Sequence, residues 1–164
     1  PNTGEGQMEE PRAEELDRAV GPGDVSADII RKISSLTVAQ KIRLLNTTNK
    51  KKVRAILVKD SNQRIGIAVV NSSNVTIEEI QEFARMKDLH SDVLTAIAEQ
   101  RRYISDRIVA WNLLNNPKMP VTRSQRLLGR FSFTWKELMT VAKNRDLPQA
   151  LRNMALRRSQ TKPH

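Results

Sequence analysis

Twelve basic side chains stand in clusters along this sequence: Lys51, Lys52 and Arg54; Arg101, Arg102 and Arg107; Arg123, Arg126 and Arg130; Lys143, Arg145 and Arg152. Their chemistry is donation. Each offers N–H groups and a positive charge to a carboxylate or a phosphate, and a guanidinium can engage either through two parallel bonds. Arg123, Arg126 and Arg130 lie three and four positions apart, which on a helix forms one stripe. Groups for covalent or acid–base work are scarce. The absence of Cys removes disulfides, thiolate zinc sites, iron–sulfur ligation and thiol catalysis. His90 and His164 are the two histidines, too few for a multi-histidine metal site. No phosphate loop, G-x-G-x-x-G, H-E-x-x-H or G-x-S-x-G motif is present. Glu78 and Glu82 could pair on one helix face, but acids near a helix start are favoured by the macrodipole and read as a solvated face. No catalytic residue, cofactor, metal or small-molecule substrate is expected.

Charge divides the 164 residues unevenly. Residues 1–28 hold eight acids and two bases, a balance of −6, leaving 26 bases and ten acids, or +16, for the remainder of a chain whose net charge is +10. Four of the six glycines and three prolines also fall in that first stretch. So few large apolar groups cannot offset the entropy of ordering, and residues 1–25 read as a disordered acidic tail, in which a short helix at 13–20 would need a partner, able to lie back on the basic remainder as a shield. Residues 26–159 read as the folded domain and 160–164 as a frayed end. No apolar run approaches the roughly 18 residues that span a bilayer, and the Cys-free composition fits a reducing cytoplasm.

The clusters must be positioned by helices. Apolar residues recur at three- and four-residue spacing from Val25 onward, broken every ten to fifteen residues by polar turns, which predicts about ten short helices. Thr37 can cap one of them, Thr76 with Glu79 and Thr134 with Glu137 form capping boxes, His90 or Ser91 opens a helix, Ser105 another, and Pro148 suits a first turn. Trp111 and Trp135 read as core anchors, and Gly66 and Gly129 as sites of close helix packing. Val53–Val58 and Ile65–Val70 are rich in β-branched residues and could pair as a hairpin through Lys59–Arg64.

An internal echo favours helix there. Shifted by 44 positions, Ala68–Thr76 falls on Asn112–Pro120 and Val93–Arg101 on Glu137–Arg145; Ala84…Asp88-Leu89 also echoes Ala142…Asp146-Leu147. Such a period, with several short helices per unit, is a signature of an α-solenoid. The segment Arg107-Ile108-Val109-Ala110-Trp111-Asn112-Leu113-Leu114-Asn115-Asn116-Pro117-Lys118-Met119-Pro120 resembles the unit of HEAT-like and leucine-rich-repeat-variant proteins, over roughly residues 49–158, although Ser73 stands where that unit has Pro. The chain is similar to small bacterial proteins built from such repeats. The resemblance implies an all-α, right-handed solenoid of antiparallel helices and says little of activity. Bases on equivalent helices would then sum into a positive ribbon. The function expected is a non-catalytic adaptor that binds an acidic or amphipathic protein segment; the alternative is sequence-independent binding of DNA or ribosomal RNA through phosphate neutralisation. With six aromatics in the chain, base stacking is poorly supported.

Overall fold

The computed structural model describes residues 12–161. The first eleven residues of the expected tail and the last three of the expected frayed end lie outside the described residues. Within them the fold is all-helical: α1 (Ala13–Ala19), α2 (Ala27–Ser35), α3 (Val38–Thr47), α4 (Lys51–Leu57), α5 (Gln63–Asn71), α6 (Ile77–Arg85), α7 (Ser91–Glu99), α8 (Arg101–Ile104), α9 (Arg107–Leu114), α10 (Val121–Arg130), α11 (Trp135–Lys143) and α12 (Gln149–Gln160). The two helices beyond the ten expected are α1, inside the stretch read as a tail, and the single turn α8.

The hairpin alternative at 53–70 falls to α4 and α5. Val53 and Leu57, then Ile65, Val69 and Val70, are all buried at helical spacing, so packing overrides their β-branched preference. Gly66 explains why α5 sits so close to its neighbours: a Cβ there would lie 2.6 Å from Val93 Cγ2 and 2.9 Å from the Val58 carbonyl oxygen. Gly129 has no such role, since nothing lies within 4 Å of its would-be Cβ.

Helix starts follow side-chain chemistry. Capping boxes form at Thr37/Gln40, Thr76/Glu79 and Thr134/Glu137. His90 caps α7, its ring accepting from the Asp92 N–H. Ser105 does not open α9: Asp106 Oδ1 accepts from the Val109 N–H at 2.9 Å, while the Ser105 hydroxyl turns back to the Arg101 carbonyl.

Contacts run mainly between near neighbours in the chain, with α6 on α9 three apart. Helices two apart touch (α1 on α3, α2 on α4, α3 on α5, α5 on α7, α10 on α12), as do successive ones such as α3 and α4, α9 and α10, α11 and α12. The buried side chains form one cluster from Ala13 to Leu127 and a second built on Leu114, Leu128, Leu138, Val141, Leu147 and Leu151. Residues 13–20, expected as tail, belong to the first: Ala13, Leu16 and Val20 are buried there because three apolar residues at spacings of three and four suffice once a neighbouring helix covers them.

Candidate basic interface

The basic residues are spread over six helices and one turn, and their surroundings separate them into two groups. Arg54 is not on the surface. It is 4% exposed and meets Glu79 through two bonds, Nε to Oε1 at 2.7 Å and Nη2 to Oε2 at 3.0 Å. Glu79 is also the second member of the capping box, accepting from the Thr76 N–H at 2.9 Å. Burial pushes its carboxyl up, but the bonds from Arg54 and Thr76 outweigh this and hold it below the usual value. Arg107 repeats the arrangement further along. Its Nη2 donates to both oxygens of Glu137 at 2.9 and 2.8 Å and its Nη1 to the Ser132 carbonyl, over the ring of Phe133 at 5.2 Å. The Thr134 N–H chiefly, with Arg107 beside it, holds Glu137 below the usual carboxylate value against the opposing effect of burial.

Four more of the twelve are committed locally. Arg102 lies 4.5 Å over the Tyr103 ring and donates to the Tyr103 and Gln100 oxygens. Tyr103 is itself buried, its hydroxyl donating to the Val70 carbonyl at 2.7 Å, and burial raises its pKa. Arg123 reaches Glu99 at 2.7 Å, tying α10 to the end of α7, and Arg152 is held by Gln149 of its own helix. Lys52 donates to the carbonyls of Pro22 and Gly23.

Lys51, Arg101, Arg126, Arg130, Lys143 and Arg145 form the second group. All are exposed, and their side chains have no hydrogen-bond or ion-pair partner among the described residues. The stripe expected on α10 is therefore reduced to Arg126 and Arg130, four apart on one face.

Several polar contacts escaped the sequence reading. Lys41 and Asp60 form an ion pair at 2.6 Å with side chains 8% and 6% exposed, joining α3 to the turn before α5. Asn116, in the Asn-Pro motif, is buried; its Nδ2 donates to the Ala84 and Met86 carbonyls at 2.9 Å, and its Oδ1 accepts from the Lys118 N–H. It thereby satisfies the carboxyl end of α6 from the turn between α9 and α10. Trp135, expected in the core, is 62% exposed. It occupies the first position of α11, where the side chain tilts past the helix start. Trp111 is half-buried, 5.8 Å from the Phe133 ring.

Two adjoining grooves share Lys52, Ala55 and Met86. One of about 810 Å³ runs past Val25, Ile30 and Ile56; the other, about 500 Å³, lies between Lys51 and the Glu78, Glu82 and Phe83 side chains. Among the described residues no three His, Cys, Asp or Glu are grouped to hold a metal, and no helix is long and apolar enough to cross a membrane. Comparison with protein-family models, curated proteins and solved structures returned no match.

Proposed function

We propose that this chain is a non-catalytic helical-repeat adaptor whose basic surface takes up an acidic or amphipathic segment of a partner protein. In this reading the helices form an α-solenoid. Contacts between helices two apart in the chain support it, as does the recurring clasp in which an Arg of one helix grips the capping-box Glu of a later one, at Arg54–Glu79 and again at Arg107–Glu137.

The observation that carries the reading is the group of six exposed cations that have no carboxylate partner among the described residues, on a chain of net charge +10. An uncompensated surface of one sign favours encounter with the opposite sign. Nucleic acid is the competing partner, since a phosphate backbone would meet the same residues.

Fluorescence anisotropy with a labelled poly-glutamate peptide, duplex DNA and RNA, at about 50 and 200 mM salt, separates the two. The adaptor reading expects the peptide to bind, to weaken severalfold with salt, and to weaken again in an Arg126→Ala/Arg130→Ala chain. Tight duplex or RNA binding with a steep salt slope, and no peptide binding, transfers the surface to nucleic acid. Binding of neither overturns both.

A further inference from the structure

We infer that the surface of α3 and the turn that follows it, now covered by α1, is a docking site for an acidic amphipathic helix of a partner protein, and that α1 fills it as an internal copy of that ligand. The inference rests on the adaptor reading and names its partner more closely.

The chemistry is divided between the two sides of this contact. From α1 come Ala13, Leu16 and Val20, at spacings of three and four and 4%, 4% and 3% exposed, together with the acceptors. Glu14 Oε1 takes Arg43 at 2.9 Å, Asp17 Oδ1 takes the Thr48 hydroxyl at 2.6 Å, and the Asp17 main-chain oxygen takes the Lys50 ammonium. The host supplies donors alone: Arg43, Thr48 and Lys50. Thr48 has no exposure of its own, so its hydroxyl is matched to an acceptor by burial. An acidic helix carrying alanine, leucine and valine in this register is the kind of segment a basic adaptor would be expected to take up, and the complementarity is already built.

The copy is also short. At seven residues α1 is too short to be stable alone, and no side chain caps its start. It reaches α2 through Val20-Gly21-Pro22-Gly23-Asp24-Val25-Ser26, where a Cβ at either glycine would meet nothing within 4 Å. Only tethering keeps α1 at a high effective concentration, so a longer helix of the same pattern, gaining its own turns of hydrogen bonds, can compete for the site.

The probe is a fluorescein-labelled peptide of residues 12–25, titrated against the full chain. In the natural chain the site is filled and the peptide binds weakly. Leu16→Glu in the chain should open the site and tighten peptide binding by roughly tenfold or more. Glu14→Lys/Asp17→Lys, which leaves the apolar contacts of α1 in place, should act in the same direction. Adding Arg43→Glu to either variant should abolish the gain, and a peptide carrying Leu16→Glu should not bind.

Equal affinity for the natural chain and for an opened variant of unchanged circular dichroism overturns the inference. So does peptide binding indifferent to Arg43→Glu. Concentration-dependent dimerisation that is lost in Leu16→Glu would give the site to α1 of a second copy, and likewise overturns it. None of these outcomes touches the exposed cations at Arg101, Arg126 and Arg130, so the adaptor reading stands or falls on the salt titration instead.

Discussion

Arg54 and Glu79 lie out of water, and two buried charges cost several kcal/mol each unless geometry and hydrogen bonding are complete. Here the guanidinium meets both carboxylate oxygens, and one of these also closes the helix cap with Thr76. Replacing Glu79 with Gln leaves Arg54 buried without a counter-charge, and should cost about 3–5 kcal/mol, read as a lower urea midpoint at unchanged slope. The pH dependence follows from the same pair. A glutamate held below its usual value of 4.5 contributes stability that is fully present above that value and lost as pH falls through the folded value. The natural chain should therefore lose stability on acidification below about pH 4.5, and Glu79→Gln should flatten that limb. Arg54 was read from sequence as part of a lysine-rich surface cluster. The signal against this was present in Val53 and Leu57, which flank it on the buried side of α4; a charge within an apolar stripe is a candidate for an internal partner. Its partner lies 25 residues away, and no local pattern announces such a pairing.

Glycine plays different parts in α5 and α10. Gly66 lies against Val93 and the Val58 carbonyl, and that main-chain oxygen cannot swing aside as a side chain can. Gly66→Ala should destabilise by about 1–3 kcal/mol despite alanine's better helix propensity. Gly129, on α10 with open space around it, should accept alanine and gain about 0.5–1 kcal/mol. Thermal melts of the two variants should move in opposite directions. At this scale much was legible. The capping boxes at Thr76 and Thr134 and the His90 cap follow from side-chain chemistry, whereas the helix at 63–71 was legible only through the internal echo, against local propensity for a hairpin. What local pattern could not supply was which helix covers which. Hence residues 13–20 were read as tail unless a partner covered them, and α3 is that partner. Trp135 was read as core from its bulk, although the Thr134 capping box already places it at the first helical position, where the side chain tilts past the helix start.

Across the whole molecule the core is divided, with Leu113 and Leu127 in the first cluster and their neighbours Leu114 and Leu128 in the second. The helices α9 and α10 are therefore the shared wall. Where contacts run mainly between near neighbours in the chain, a loss in one part is felt locally before it is felt everywhere. Val141→Ala, inside the second cluster, should raise hydrogen exchange in α11 and α12 first, while the amides of α5 and α7 keep their protection. Uniform loss of protection along the chain would show a single cooperative unit instead.

The placement of the two indoles gives the molecule an uneven optical signature. Trp111 lies beside Phe133 at the second cluster, Trp135 stands in solvent at the start of α11, and the chain holds no other tryptophan. Emission excited at the red edge of indole absorption therefore reports on the carboxyl-terminal third alone. The α1 contact and the Arg54–Glu79 pair are dark to it. A titration followed by that light will be silent to events at the amino-terminal end, which need a label or a newly introduced indole before they can be seen.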